Sequence, residues 1–152
     1  MTTITEIKRY FTIGDEWLYY KIYCGAKTAD SILVNAIKPL TEDFIGNKYI
    51  DQWFFIRYKD PEPHLRLRFH LLEKTKINDI IQQVKSGLDH YIMSGEGWNL
   101  QLDTYKREIE RYGAQTMKLS ESLFYTDSEF ILGMISQSKT NEERFIRLIF
   151  WI

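Results

Sequence analysis

A chain of 152 residues, 44% hydrophobic, 15% aromatic and 27% charged, is long enough for one domain with a real core and too apolar to be disordered. Its 20 Lys and Arg nearly balance 21 Asp and Glu, for a formal charge of −1, which argues against non-specific nucleic-acid binding and leaves only local clustering as a source of electrostatic function. A single Cys24, a start without the apolar core of a signal peptide, and no run of about 18 uncharged apolar residues exclude an internal disulfide, a multi-thiol metal site and a membrane-spanning helix, so the expected setting is a reducing cytoplasm.

The first predicted element is a strand over 16–24, EWLYYKIYC, in which Cys24 reads as a small buried hydrophobe. In KTADSILVNAIKPL, residues Ile32, Leu33, Ala36, Ile37 and Leu40 recur at helical spacing, with Thr28 as N-cap and Pro39 expected to end or kink the helix. The runs IDQWFFIRYK and HLRLRFHLL flank the turn-rich DPEP and read as a hairpin. A second helix is predicted over 77–93, where Ile77, Ile80, Ile81, Val84, Leu88, Tyr91 and Ile92 form one apolar stripe. Past the breaker SGEG, WNLQLDTYKRE alternates with period two, as a strand does. The rest is helical: a segment from near Gln115 through Phe124, another capped by Asp127, and TNEERFIRLIFWI, which opens with the capping-box pair Thr140 and Glu143.

The order β-α-β-β-α-β followed by helices predicts an α+β fold of the ferredoxin-like type, a four-stranded antiparallel sheet with helices on one face and further helices at the C-terminus. Such a sheet is apolar towards its helices and free to be polar on the other side. Along 64–70, Leu65, Leu67 and Phe69 point one way and His64, Arg66, Arg68 and His70 the other. In the preceding strand Phe54, Ile56 and Tyr58 share a face, opposite Trp53, Phe55 and Arg57; later, Leu100 and Leu102 alternate with Gln101, Asp103, Tyr105 and Arg107. If every apolar set packs on the helices, the outer face gathers Arg57, Arg66, Arg68 and Arg107 with aromatic rings between them.

Like charges facing each other across a sheet cost roughly 0.2–1 kcal/mol per close pair, so such a cluster needs neutralising. Surface ion pairs with Asp103, Glu108 or Glu110 would do it, and so would a bound carboxylate or phosphate gripped by guanidinium forks; the preference for Arg over Lys leans towards recognition. His64, beside the turn, reads either as a general acid or base or as a rim residue bonded to backbone. His70 and His90 have weaker claims. No HExxH or CxxC ligand set and no glycine-rich phosphate loop is present, so neither a metal nor a cofactor is expected. Base stacking on the interleaved aromatics, as in RNA-binding sheets, is a lesser reading because the RRM pattern is missing.

Three segments in order, DQWFFIRYKDPEPHLRLRF (51–69), YKREIERYGA (105–114) and ESLFYTDSEFILGM (121–134), resemble the C-terminal elimination domain of lantibiotic dehydratases, found also as stand-alone thiopeptide-type bacteriocin biosynthesis proteins. WLYYKIYCGAKTADSILVNAIKPL fits as well, so the resemblance covers nearly the whole chain. It implies a lyase of ribosomal peptide natural-product biosynthesis. A precursor peptide carries Ser or Thr esterified with glutamate by a separate glutamylation protein; the domain removes the α-proton and expels glutamate, leaving dehydroalanine or dehydrobutyrine. By position, the HxRxR arginines fall on Arg66 and Arg68 and the YxRE arginine on Arg107, which the resemblance makes the catalytic set; Arg57, His64, Tyr105, Arg111 and Tyr112 are the adjoining substrate-binding candidates.

Relatives continue beyond the equivalent of residue 152 and carry a functional histidine there, a position that none of His64, His70 and His90 occupies. The expectation is one elimination-type domain over 1–152 lacking the family's C-terminal part, with a complementary dehydratase chain as partner, or a homodimer, covering the apolar end. Two alternatives stay open: a cycloaddition enzyme of the thiopeptide type, and a non-catalytic module that binds the precursor peptide.

Overall fold

The computed structural model describes residues 6–138 together with Thr140, Glu142 and Glu143. Its elements run β1 (Tyr10–Phe11), β2 (Trp17–Cys24), α1 (Ala26–Ile32), α2 (Lys38–Gly46), β3 (Ile50–Lys59), β4 (Pro63–Leu71), α3 (Ile77–Ser94), β5 (Gly97–Asp103), β6 (Tyr105–Lys106), α4 (Ile109–Tyr112) and α5 (Met117–Gln137). Four strands form one antiparallel sheet in the order β3-β4-β2-β5, while β1 and β6 pair as a separate short ribbon. With β2 as the first of its four strands, this is the ferredoxin-like order the sequence predicts.

Parity along the strands sorts the side chains. Leu18, Tyr20 and Ile22 of β2 and Leu65, Leu67 and Phe69 of β4 are buried against Ile32, Leu33 and Ile37, and against Ile80, Val84 and Leu88 of α3. Burying each such side chain contributes about 1.5–3 kcal/mol, so this face holds the sheet together. The register sets Trp53 opposite Phe69, Phe55 opposite Leu67 and Arg57 opposite Leu65, which turns that half of β3 towards the helices. The other half, Phe54, Ile56 and Tyr58, lies opposite Arg68, Arg66 and His64. This corrects the expected gathering: Arg57 stands on the helix side, not among the other arginines.

Several boundaries also move. Thr28 sits inside α1, whose N-cap is Gly25 without a side-chain cap bond. Pro39 does not end the helix, because a π-helical stretch (Leu33–Ile37) joins α1 to α2 and shifts the hydrogen-bond ladder just before the residue that cannot donate to it. Asp127 lies mid-way along a continuous α5: no Gly or Pro interrupts 117–127, and packing on β3 outweighs the weak helix preference of one Asp. The single strand expected over 98–108 is two. Asp103 Oδ1 accepts the Thr104 N–H (2.7 Å), β5 stops there, and the chain swings over to pair with β1. The Glu143 N–H donates to Thr140 Oγ1 (3.1 Å), as the capping pattern asks; the residues predicted to continue that helix lie outside the described ones.

α5 closes the edge of the sheet. Its Ser128 hydroxyl accepts the Phe55 N–H (3.1 Å), and Trp53 Nε1–H donates to Glu129 (2.9 Å). Among the described residues no helix is long and apolar enough to cross a membrane.

Candidate functional site

On the face turned away from α3, the end of β1, the start of β2, the middle of β3 and the start of β6 assemble a second, aromatic core: Phe11, Trp17, Tyr19, Phe54 and Tyr105, with Phe124 of α5 against it. β2 supplies Tyr19 because its odd positions, which include Lys21, face this side. Tyr19 lies between Arg68 of β4 and Asp103 of β5 in the register, so three strands deliver their side chains to one row. The β1–β6 ribbon and α5 then wall off a cleft of about 250 Å³, bounded by Arg66, Arg68 and Lys21 on the sheet, Tyr105 and Glu108 on the crossing segment, and Tyr112 and Phe124 beyond.

Arg68 is the centre of this cleft. It is only 8% exposed, and its guanidinium carbon lies 4.3 Å from the centre of the Tyr19 ring, 4.8 Å from Tyr105 and 5.0 Å from Phe54. Its Nε and Nη1 are buried and have no hydrogen-bond partner among the described residues. Burial pulls its pKa below the ordinary arginine value, with neighbouring Arg66 adding to the effect, yet arginine starts so high that the group stays a cation. Desolvating one charge costs several kcal/mol, whereas each cation–π contact returns only about 0.5–2 kcal/mol. Three rings soften this cost without removing the demand for an anion.

Arg66 is the shallower neighbour. Its guanidinium lies 3.7 Å over the Tyr58 ring, and its Nε–H donates to His64 Nε2 (3.1 Å). His64 Nδ1 is 2.9 Å from the Glu62 carbonyl, which makes Nδ1 the protonated nitrogen and Nε2 the acceptor. His64 is therefore a buried strut with both nitrogens engaged, not a free base. The two remaining charged pairs of the cleft differ in freedom. Lys21 holds Asp103 at 2.8 Å, and that hydrogen bond keeps the Asp103 carboxyl below its usual range, whereas Glu108 has only a 3.8 Å approach from Arg111.

Arg107 is buried too, but in another setting. Its Nε and Nη2 donate to the two oxygens of Glu121 (3.0 and 2.7 Å), and Nη1 donates to the Lys8 carbonyl (3.0 Å). Glu121, 1% exposed, also accepts the Tyr105 hydroxyl at 2.7 Å. Burial and that carboxylate push the Tyr105 pKa upward, so its hydroxyl remains a donor.

Of the eight residues singled out from sequence, Arg66, Arg68, Tyr105 and Tyr112 meet in the cleft, and His64 braces Arg66. Arg107 stands behind the cleft, tied to Glu121. Arg111 is exposed on α4 beside Glu108. Arg57 pairs with Asp30 of α1, beside an apolar hollow that also holds Cys24. Tyr19, Lys21 and Glu121 were missed; the Lys at 21 marked the outward parity that would have exposed Tyr19. Among the described residues no three His, Cys, Asp or Glu side chains gather where they could hold a metal ion.

Comparison with known proteins gives this geometry a family. Residues 17–151 match the family model described as lantibiotic biosynthesis dehydratase C-term. The nisin biosynthesis protein NisB of Lactococcus lactis subsp. lactis is 32% identical over 135 residues, 85% of this chain and 13% of that protein. The subtilin biosynthesis protein SpaB of Bacillus subtilis is 30% identical over 129 residues, 84% of this chain and 12% of that protein. The crystal structure of the tRNA-dependent lantibiotic dehydratase MibB from Microbispora sp. 107891 superposes with a TM-score of 0.72 at 26% identity, over 85% of this chain and 13% of that one. The chain thus spans about an eighth of the length of these relatives.

Proposed function

Because the chain belongs to the C-terminal domain family of the lantibiotic dehydratases, we propose that its cleft eliminates glutamate from glutamylated Ser or Thr of a precursor peptide, leaving dehydroalanine or dehydrobutyrine. One observation carries the reading: Arg68, a buried cation held by three aromatic rings and matched to no acidic side chain among the described residues, with Arg66 beside it. A glutamyl ester presents a free carboxylate of the kind a guanidinium binds through paired N–H groups.

In the step proposed, the α-proton is taken by a base, the Cβ–O bond to the ester oxygen breaks, and the electron pair of the Cα–H bond becomes the new C=C bond. Glutamate departs as a carboxylate. Charge develops on the ester oxygens as that bond lengthens, and cations fixed nearby lower the barrier because they need no reorganisation. Arg68 is immobilised by its rings, so little side-chain freedom remains to be lost on binding. In the same reading the chain is one elimination-type unit working in a cytoplasmic peptide-modification system. A glutamylation protein supplies its substrate.

The test pairs two synthetic peptides, one with a glutamylated serine and one unmodified, titrated into the protein and followed for glutamate loss by mass spectrometry. Tighter binding of the glutamylated peptide, lost in Arg68→Ala along with glutamate release, is the expected result. Equal affinity for both peptides would overturn the reading and favour a module that binds the precursor peptide without acting on it.

A further inference from the structure

Glu121 of α5 makes contacts that are unusual for a helix residue. It is 1% exposed, yet its two oxygens accept three donors from a segment 14 and 16 residues earlier: two from Arg107 and one from the Tyr105 hydroxyl. The ring of that same Tyr105 lies 4.8 Å under the Arg68 guanidinium. Arg107 in turn reaches the Lys8 carbonyl, and the Arg107 N–H donates to the Arg9 carbonyl (2.8 Å), so the lead into β1 is fixed by the same group of bonds.

We infer that Glu121 is the positioning residue of the cleft, acting on Arg68 through the ring of Tyr105, and that Arg107 serves this arrangement rather than touching the substrate. All three side-chain nitrogens of Arg107 donate to Glu121 or Lys8, whereas two buried nitrogens of Arg68 have no hydrogen-bond partner among the described residues. A guanidinium in that condition is poorly placed to grip an incoming carboxylate, since binding would first require breaking a buried charge pair. Tyr105 is held at both ends, by its hydroxyl on Glu121 and by its ring against Phe11 and Trp17 (centroids at 5.7 and 5.5 Å), which leaves it few ways to tilt. The inference rests on the elimination reading for its kinetic consequences but not for its structural one.

The experiment therefore has two readouts. In the first, the Arg68 Nε–H resonance is followed by nitrogen-edited NMR in wild type, Glu121→Gln and Tyr105→Phe. The resonance should move in both variants and by a similar amount in the double variant, because one path links them. As a control, Glu129→Gln loosens the Trp53 side of α5, away from the cleft, and should leave the Arg68 resonance where it was. In the second, elimination from a glutamylated serine peptide is measured at a temperature where each variant is folded. Tyr105→Phe is expected to lower kcat about tenfold with KM little changed, while Glu129→Gln alters only the melting temperature. An unmoved Arg68 resonance in Tyr105→Phe and Glu121→Gln would overturn the inference. If wild type releases no glutamate but the resonance still moves, the elimination reading fails and the positioning role stands.

Discussion

Two guanidinium groups are buried on the same side of this sheet, and they live in opposite surroundings. Arg107 lies against a carboxylate that takes it with two hydrogen bonds, and the pair is nearly sealed, with side-chain exposures of 6% and 1%. Arg68, five residues after Pro63 at the start of β4, lies among Tyr19, Phe54 and Tyr105 and makes no ion pair among the described residues. A buried cation with its own anion is a fastener. A buried cation that has only ring faces is a receptor, because the aromatic quadrupoles stabilise the charge without using up its N–H groups. Sequence spacing treats the two alike; only the positions of their neighbours separate them.

The sharpest break of this contrast is Glu121→Ala. Removing one partner of a buried pair leaves the other uncompensated, so unfolding in denaturant should show a loss of about 3–5 kcal/mol. Arg68→Leu should do the reverse for stability, leaving it unchanged or raising it by about 1 kcal/mol, since the lone desolvated charge disappears, while binding of a glutamylated peptide is lost. A stability loss as large as that of Glu121→Ala would show that Arg68 is a fastener too. Arg57→Leu tests the far side of the sheet. Its ion pair with Asp30 is substantially exposed, so the melting curve should shift by no more than about 1 kcal/mol and peptide binding should not change.

The smallest effect is a pH dependence. Burial pushes the Cys24 thiol up to about 11 in the folded chain, above its unfolded value, so the folded protein keeps a proton that the unfolded one gives up. Its contribution to stability is complete below the unfolded thiol pKa and is lost as pH rises towards 11. Tyr20, also raised by burial, adds a second decline of the same sign as tyrosines in the unfolded chain ionise. Cys24→Val should flatten the first part of that slope in pH-dependent unfolding, and wild-type Cys24 should resist alkylation at pH 8.

Much of this was legible in the residues. HLRLRFHLL alternates so strictly that β4 admitted one assignment, and its guanidinium side followed. IDQWFFIRYK did not, because both of its faces are aromatic. With Trp53 and Phe55 on one side and Phe54 and Ile56 on the other, hydrophobicity cannot choose, and the pairing with β4 decides. Arg57 was misplaced for that reason alone. Neutralisation of the cluster was sought nearby, from Asp103, Glu108 and Glu110, because sequence neighbours are the visible candidates. The structure gives Asp103 to Lys21 and Glu110 to Arg9, and brings the acid for Arg107 from α5. That partnership depends on where a helix crosses a strand, and no local pattern in either element encodes it.

The hydroxyl of Ser128 on the amide of Phe55 has a consequence beyond this domain's own architecture. β3 is an outermost strand, ten residues long and rich in aromatics, the kind of border along which newly made chains stick together. With α5 laid along it and one of its amides already engaged, a second molecule finds less of a template there. In the folded chain the helix shields an open border as much as it completes a fold.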